Sequence, residues 1–341
     1  MTRRILVTGG AGFMGSGVVR HLLDRYPDYR VVALDALTYA GNLENFPTDV
    51  RTNPRFSFWH GNIRNVALVE DLASEADAIV HLAAETHVPR SIADNTIFLE
   101  TDVLGTQSVV TAALKHRVER LIHISSSEVY GSALTDPMTE AHPLNPTSPY
   151  AAAKAGADRL VYSYFTTFGL PAIILRPFNN YGPHQHLEKM VPRFITSALL
   201  EEPVTLHGDG LSTRDWLYVG DFCEAVDLAL HAPLPSLRGE TINLATGVDT
   251  PILAIAEQIL VNLGKPRRLI THVDERPAQV RRHIGSTEKA AAALGWRART
   301  SLAEGLSLTI RWYAEHPDWW QKLLWMRSVV ITGPTGSKAV Y

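Results

Sequence analysis

The sequence predicts an α/β protein built on a doubly wound parallel sheet, and three observations carry that expectation. Apolar, strand-like runs alternate with segments long enough for helices through the first half of the chain. A glycine-rich stretch, Gly9-Gly10-Ala11-Gly12-Phe13-Met14-Gly15, joins the first run, Ile5-Leu6-Val7, to a helical pattern carried by Val18, Val19, Leu22 and Leu23. An acidic residue, Asp35, closes the second apolar run about 20 residues further on.

Taken in order, the buried strands are expected at Ile5 to Val7, Val31 to Leu34, Phe56 to Trp59, Ala78 to Leu82, Leu121 to Ile124 and Ala172 to Leu175. Beyond about residue 177, Pro, Gly and His break the pattern into shorter elements. A smaller substrate-binding domain over the carboxyl ends of the strands is expected there, where ligands of such sheets bind. The division is then 1–177 for the sheet domain, with a later return of the chain near 215–245, 178–325 mainly for the second domain, and 326–341 for a tail. The aromatic stretch from Trp319 to Met326 should pack against the body or a second subunit.

The glycine loop has a physical purpose. Glycines let the backbone turn tightly after a strand and approach a pyrophosphate, while the next helix presents free N–H groups and its positive end to the anion. Gly9, Gly12 and Gly15 fit one dinucleotide spacing, and Gly10, Gly12 and Gly15 another, so the loop leaves the family open. A carboxylate at Asp35 would bond the adenosine ribose hydroxyls and repel a 2′-phosphate, which favours NAD over NADP.

Composition narrows the remaining classes. The 341 residues carry a formal charge of −3 with no basic run longer than clusters such as Lys265-Pro266-Arg267-Arg268, which argues against nucleic-acid binding. No apolar run has the length of a membrane span, and the start shows no secretory h-region, so a cytoplasmic protein without membrane contact is expected. A lone Cys223 excludes an intramolecular disulfide, offers no metal cluster and reads as a small core residue.

Chemistry is concentrated around residue 150. Tyr150 and Lys154 stand four apart, on one face of a helix expected to begin near Pro149. An ammonium beside a phenol, with a cationic nicotinamide nearby, would lower the phenol's pKa toward working pH, so that Tyr150 could take a proton from an alcohol as hydride leaves the same carbon. Ser125-Ser126-Ser127-Glu128 follows the strand Leu121 to Ile124 and would lie nearby.

With these residues the chain resembles the extended short-chain dehydrogenase/reductases, in particular the nucleotide-sugar 4,6-dehydratases and most closely their dTDP-glucose branch. The matching segments are Leu34 to Leu43, His81 to Val88, Glu128-Val129-Tyr130-Gly131, Ser148-Pro149-Tyr150, Asn179 to Pro183, Glu188-Lys189, Arg214 to Val219, and Arg276-Pro277 with Arg281-Arg282. They run in order to about Tyr313.

The resemblance implies a Rossmann domain, bound NAD, a nucleotide-diphosphate sugar substrate and a homodimer built by the helices around Thr101 to Leu114 and Tyr150 to Phe165. In catalysis it implies Tyr150 as the base at the sugar 4-hydroxyl, Lys154 and Ser126 as its supports, and Glu128 as the base at C5. Water would leave C6 and hydride return there. Cofactor contacts are implied at Phe13, Met14, Asp35, Leu37, Thr38, Asn62, Ile63, Leu82, Ala83, Ala84, Thr101 and Asn180, together with Tyr150 and Lys154. Substrate contacts are implied at Thr86, Ser126, Asn179, Lys189, His207, Arg214 and Arg276, whose cations suit a diphosphate.

The chain also departs from the family pattern. Ser127 stands where the dehydratases carry an Asp that protonates the leaving hydroxyl, and a serine is a poor general acid. Pro89 replaces an Asp, Asn62 an adenine-contacting Asp, and His207 a Tyr near the nucleobase. Decarboxylation of a uronic acid or epimerisation, both starting from C4 oxidation, is therefore an alternative outcome. Decarboxylation would need a cation for the carboxylate, and Glu288 holds the place where related decarboxylases carry an Arg. A non-catalytic NAD-binding protein is a third reading, opposed by the presence of Tyr150, Lys154 and Glu128.

Overall fold

The computed structural model describes residues 3–275, 280–328, 330–332 and 338–340. Its strands are β1 (Arg3–Thr8), β2 (Tyr29–Asp35), β3 (Phe56–His60), β4 (Ala78–His81), β5 (Arg120–Ile124), β6 (Ala172–Pro177), β7 (Asn179–Tyr181), β8 (Val204–His207), β9 (Thr213–Tyr218), β10 (Thr241–Leu244), β11 (Asp249–Pro251), β12 (Ile270–Val273) and β13 (Arg282–His283). Seven of them form one parallel sheet in the order β10-β6-β5-β4-β1-β2-β3. The doubly wound fold expected from the sequence is what forms.

Strand pleating explains why the apolar runs are continuous. Ile5 and Val7 face one side of the sheet, with Val31, Ala33, Val80, Ile122 and Ile173, and meet Val18, Val19, Leu22, Phe222 and Val226 from two helices. Leu6 faces the other side, with Val32, Leu34, Ile79, Leu121 and Ile174, against Val69, Leu72, Val109, Val110 and Val161. Cys223 is buried in the first of these layers.

Sequence order reverses between β1 and β4, since β1 leads to β2 on one side while the chain returns to β4 on the other. A crevice opens at such a point beyond the carboxyl ends of the strands.

The second half is not wholly separate. β10 extends the main sheet beside β6, and the helix Val219–His231 packs on the helix Phe13–Arg25. The remaining strands form smaller sheets: β9 pairs β7, β11 and β13, while β8 pairs β12. Their apolar layer includes Leu187, Phe194, Trp216, Ile255, Leu306 and Tyr313. Trp319, Trp320 and Met326 are buried in it, and Trp319 donates its indole N–H to Asn45 Oδ1 at 3.2 Å, which ties the aromatic stretch to the body. Past it the chain forms a short antiparallel hairpin, β14 (Val330–Thr332) with β15 (Lys338–Val340), which the polar composition of the tail did not signal.

One buried ion pair bolts the helix Pro149–Phe168 to the sheet. Asp158, fully buried on that helix, accepts from Arg176 Nε at 2.8 Å and NH2 at 2.9 Å, and from Ser125 Oγ at 2.7 Å. Arg176, on β6, also donates to Tyr130 Oη at 2.8 Å, and Tyr130 donates to Asn243 Oδ1 on β10 at 2.7 Å. Burial alone would push the Asp158 carboxyl up, but Arg176 outweighs it and holds the group well below the usual carboxylate range.

Replacing Asp158 with Ala leaves the Arg176 guanidinium buried without a counter-charge. The expected loss of stability is about 3–5 kcal/mol, measured by urea denaturation. A loss below about 1 kcal/mol would show that the pair is not what fixes the helix.

Candidate active site

A cavity of about 440 Å³ occupies the crevice at the carboxyl ends of β1, β2, β4, β5 and β6. Its volume is in the range of small-molecule sites.

The glycine loop forms one end. Gly9 has φ +70°, and a Cβ there would stand 2.6 Å from the backbone N of Ala83. A Cβ on Gly15 would run into the carbonyl of Gly9, so the first helical turn lies directly on the loop. Gly12 is the N-cap of the helix Phe13–Arg25, with no side-chain cap and no acid in the first turn. That leaves its end free of competing negative charge, as a pyrophosphate requires.

Asp35 ends β2 with Oδ2 accepting from Ala11 N at 2.9 Å and Oδ1 from Leu37 N at 2.8 Å. Burial raises its pKa, while the amides of Leu37, Ala11 and Gly12 pull it back. Thr38, Asn62, Ile63, Leu82, Ala83, Ala84 and Thr101 line the cavity with it, as do Gly9, Gly12, Phe13, Met14 and Gly15. Leu37 does not. Its backbone adopts φ 49°, its N–H holds Asp35, and its side chain packs on the apolar layer, so its contribution is to place the carboxylate.

Asn180 donates from Nδ2 to Phe178 O at 2.9 Å, which leaves its Oδ1 buried and without a protein partner. An acceptor so placed suits a ligand N–H. Together with the glycine cradle and Asp35, it makes the residues present a fit for a dinucleotide.

Ser148 caps the helix Pro149–Phe168 by accepting from Ala151 N at 3.1 Å, and Pro149 occupies the first turn. Tyr150 and Lys154 therefore project from one face into the cavity. Lys154 is buried, and its Nζ donates to Ile124 O at 2.7 Å, at the end of β5. Burial pushes the ammonium down, and the Asp102 and Asp158 carboxylates push it back up.

The Tyr150 phenol is itself pushed up to about 12 by burial; hydrogen bonds with Ser126 and Thr86 work downward, and the charges of Asp102 and Glu128 work upward. In the chain alone desolvation is the largest influence on this phenol; the lowering expected from the sequence was tied to a cationic nicotinamide beside Tyr150 and Lys154.

Ser126 caps the short 3₁₀ turn Ser127–Tyr130 by accepting from Glu128 N at 3.2 Å. This turn brings Ser126, Ser127 and Glu128 to the cavity beside Tyr150, with Ser127 buried.

The opposite wall carries the cations. Lys189 Nζ donates to Thr86 Oγ1 at 3.0 Å, and Arg214 NH1 to Thr213 O at 2.8 Å. His207 Nδ1 lies 3.1 Å from Asp274 O, and Asn179 Nδ2 donates to Asp215 O at 3.4 Å. All five of Thr86, Asn179, Lys189, His207 and Arg214 border the cavity. Arg276 lies outside the described residues.

Sequence reasoning missed several wall residues. Arg193 follows Lys189 by four positions and enters the same wall, a spacing that could have found it. Glu85 is buried in the wall with its pKa raised by burial. Glu188, quoted only as part of a motif, is nearly inaccessible, with Arg90 Nε at 2.5 Å, His87 Nδ1 at 3.2 Å and His186 Nε2 at 3.0 Å from its carboxylate. Arg90 stacks on the Tyr39 ring at 3.8 Å, and Tyr39 donates to Thr86 O at 2.8 Å, so this knot fixes Thr86 from behind. No sequence signal brings these separated residues together.

Comparison with known proteins agrees with this geometry. The GDP-mannose 4,6 dehydratase family model matches residues 6–309. A dTDP-glucose 4,6-dehydratase of Streptomyces antibioticus is 42% identical over 338 residues, 98% of this chain and 99% of its own. That of an Actinoplanes species is 41% identical over 322 residues, 93% and 99% of the two chains. The crystal structure of the dTDP-glucose 4,6-dehydratase of Streptomyces venezuelae, with NAD bound, superimposes with a TM-score of 0.90 at 42% identity, covering 94% of this chain and 99% of that one. The chain belongs to the NAD-dependent nucleotide-sugar 4,6-dehydratases, on the extended short-chain dehydrogenase/reductase fold.

Proposed function

We propose that the protein converts a nucleotide-diphosphate hexose, with dTDP-glucose the first to test, into the 4-keto-6-deoxy sugar nucleotide. The observation that carries this reading is that Tyr150, Lys154, Ser126 and Glu128 border one cavity, with Lys154 otherwise buried. An alcohol oxidation needs only the first pair, whereas a carboxylate beside it serves a second proton transfer, at C5.

Bound NAD supplies the positive charge beside Tyr150 and the carbon that takes hydride from C4 and later gives it to C6. Gly9, Gly12, Phe13, Met14 and Gly15 would hold its pyrophosphate, Asp35 its adenosine ribose, and Asn180 an N–H of its far end. Tyr150 accepts the proton of the 4-hydroxyl, and Ser126 steadies the 4-oxygen. The 4-ketone acidifies C5–H, and Glu128 removes that proton. The 6-hydroxyl leaves as water when a proton reaches it, and C5 regains a proton from Glu128 as C6 is reduced. Lys189, Arg214, Arg193 and Arg276 neutralise the diphosphate, and His207 lies toward the nucleobase. Residues 1–177 with the return at 215–245 would form the cofactor domain, and 178–325 mainly the substrate domain.

A homodimer is part of the same proposal. The helices Thr106–Lys115 and Pro149–Phe168 pack side by side, and Leu104 and Tyr162 on this layer are 52% and 40% exposed. A cytoplasmic setting fits the single reduced cysteine. Glu288, at the place where related decarboxylases carry an Arg, lies in the helix Glu288–Leu294 and is not among the residues lining the cavity.

The test is to incubate the protein with dTDP-glucose, UDP-glucose, UDP-N-acetylglucosamine, GDP-mannose and UDP-glucuronate and weigh the products. Loss of water is expected; loss of carbon dioxide, or no change in mass with every sugar, overturns the reading. Tyr150→Phe should abolish C4 oxidation and leave NAD affinity nearly unchanged, because only the acid–base hydroxyl is removed. A variant that still reduces its cofactor on adding substrate would show another base.

NAD should bind well below the NADP concentration needed for equal occupancy, because Asp35 faces the place of the 2′-phosphate. Titration of both into the cofactor-stripped protein decides it, and equal affinities would remove Asp35 from that role.

Ser127 supplies the remaining prediction. With a serine where a carboxyl acid is expected, water loss should be slow relative to hydride transfer, and reduced cofactor should accumulate within one turnover. Ser127→Asp should speed elimination by about 10²-fold, the contribution general acids commonly make. Stopped-flow absorbance reads both. A wild type without the transient, and a variant no faster than it, would mean that another group delivers the proton.

A further inference from the structure

Trp216 takes no part in the readings above. It lies on β9, where Arg214, Asp215 and Trp216 alternate between the two faces of the strand. Arg214 and Trp216 line the cavity, and Asp215 does not. Asp215 is fully buried, with Oδ1 accepting from Thr246 N at 2.8 Å and Thr246 Oγ1 at 2.6 Å, and Oδ2 from Gly247 N at 2.9 Å. These bonds hold the pleat of β9, and with it the face from which Arg214 and Trp216 leave the backbone.

The next strand completes the setting. Trp216 pairs with Asn179 across the parallel ladder of β7 and β9, so the two side chains stand beside each other on one face. Asn179 lines the cavity as well. Trp216 is thus placed between Arg214, two residues earlier on its own strand, and Asn179 on the neighbouring one. Its ring also meets Tyr181 edge-on, with centroids 6.3 Å apart, within the apolar layer of the second half.

Trp216 is 9% exposed, and its Nε1 is buried with no hydrogen-bond partner among the described residues. An indole N–H can only donate, and a buried one ordinarily finds an acceptor. Leaving it without one costs free energy that the packing of the ring must offset. What Trp216 lacks is therefore an acceptor, on a wall where the chain presents an arginine and an asparagine. An oxygen-rich anion has the matching chemistry.

We propose that Trp216 donates its indole N–H to an oxygen of the substrate's diphosphate, which makes it a substrate-binding residue alongside Arg214. The two contributions differ in kind. The charge of Arg214 acts over a distance, whereas an N–H on a packed ring holds one oxygen at one place. The proposal rests on a nucleotide-diphosphate sugar being the substrate.

Nitrogen-15 NMR of the protein with NAD bound tests it. The seven tryptophans give seven indole N–H signals, and the one absent from Trp216→Phe belongs to Trp216. Inorganic pyrophosphate and dTDP should each move that signal downfield, because a hydrogen bond to a charged oxygen forms where there was none. Thymidine, which has no phosphate, should leave it in place. No downfield shift with pyrophosphate or dTDP, whether they bind elsewhere or not at all, overturns the proposal, and so does the same shift with thymidine.

Trp216→Phe keeps an aromatic ring in the apolar layer and removes the donor. The Kd of dTDP and the KM of the sugar nucleotide should rise about tenfold with kcat nearly unchanged, since the diphosphate is bound alike in the ground and transition states. NAD affinity should stay the same. Trp216→3-benzothienylalanine, with sulfur in place of the N–H and the size of the indole kept, supplies both the assignment and the kinetics if Phe packs badly. Without nucleotide its Tm should not fall below that of wild type, because the bond it cannot make is absent there too. Unchanged Kd and KM in either folded variant would overturn the proposal. Failure of the dehydratase reading is separate, because it appears as wild-type protein that forms no dehydrated product from any sugar nucleotide, whatever the Trp216 signal does with pyrophosphate.

Discussion

At the floor of the cavity and beneath it, two cations and two carboxylates are buried: Lys154 and Arg176, Asp102 and Asp158. None could be buried alone, because an isolated charge in a poorly polarisable interior is too costly to persist. Arg176 and Asp158 satisfy each other through two hydrogen bonds, whereas Lys154 is compensated at longer range and anchored by the Ile124 carbonyl. The tight pair joins the helix to the sheet, and Lys154 stands at the cavity beside Tyr150.

This arrangement depends on the parallel sheet. β5 and β6 end side by side, so the Ser125-to-Glu128 segment, the Ile124 carbonyl and the strand bearing Arg176 all meet the helix that bears Tyr150, Lys154 and Asp158. The crevice between β1 and β4 receives the glycine loop and Leu82 to Ala84 from either side. The cavity is thus lined by strand ends of one sheet, while β8, β9 and the helix Met190–Leu199 add His207, Arg214 and Arg193 to its wall. Function comes from distant segments, but each is held by a strand or a helix end.

The departure at Ser127 fits this frame without disturbing it. Ser127 is buried in the 3₁₀ turn that Ser126 caps, so the backbone holds Glu128 in place independently of the side chain at 127. The serine at 127 therefore leaves the architecture around Glu128 intact.

The sequence alone determined the elements whose signal is local. Alternating apolar runs specified the strands, because a sheet buried on both faces needs apolar residues at successive positions. The glycine spacing specified the loop, because only residues without a Cβ fit at Gly9 and Gly15. Tyr150 and Lys154 were legible because four residues make one helical turn. The tertiary structure decided what depends on desolvation and on contacts between distant segments. It pushed the Tyr150 phenol up by burial, which no spacing along the chain reports. It left Leu37 out of the cavity lining, with a left-handed backbone and its N–H on Asp35 Oδ1. It also buried Asp102, with Oδ1 on the Glu85 N–H, and assembled the knot of Tyr39, His87, Arg90, His186 and Glu188. Long-range electrostatics has no sequence period, so only the folded chain brings those charges together.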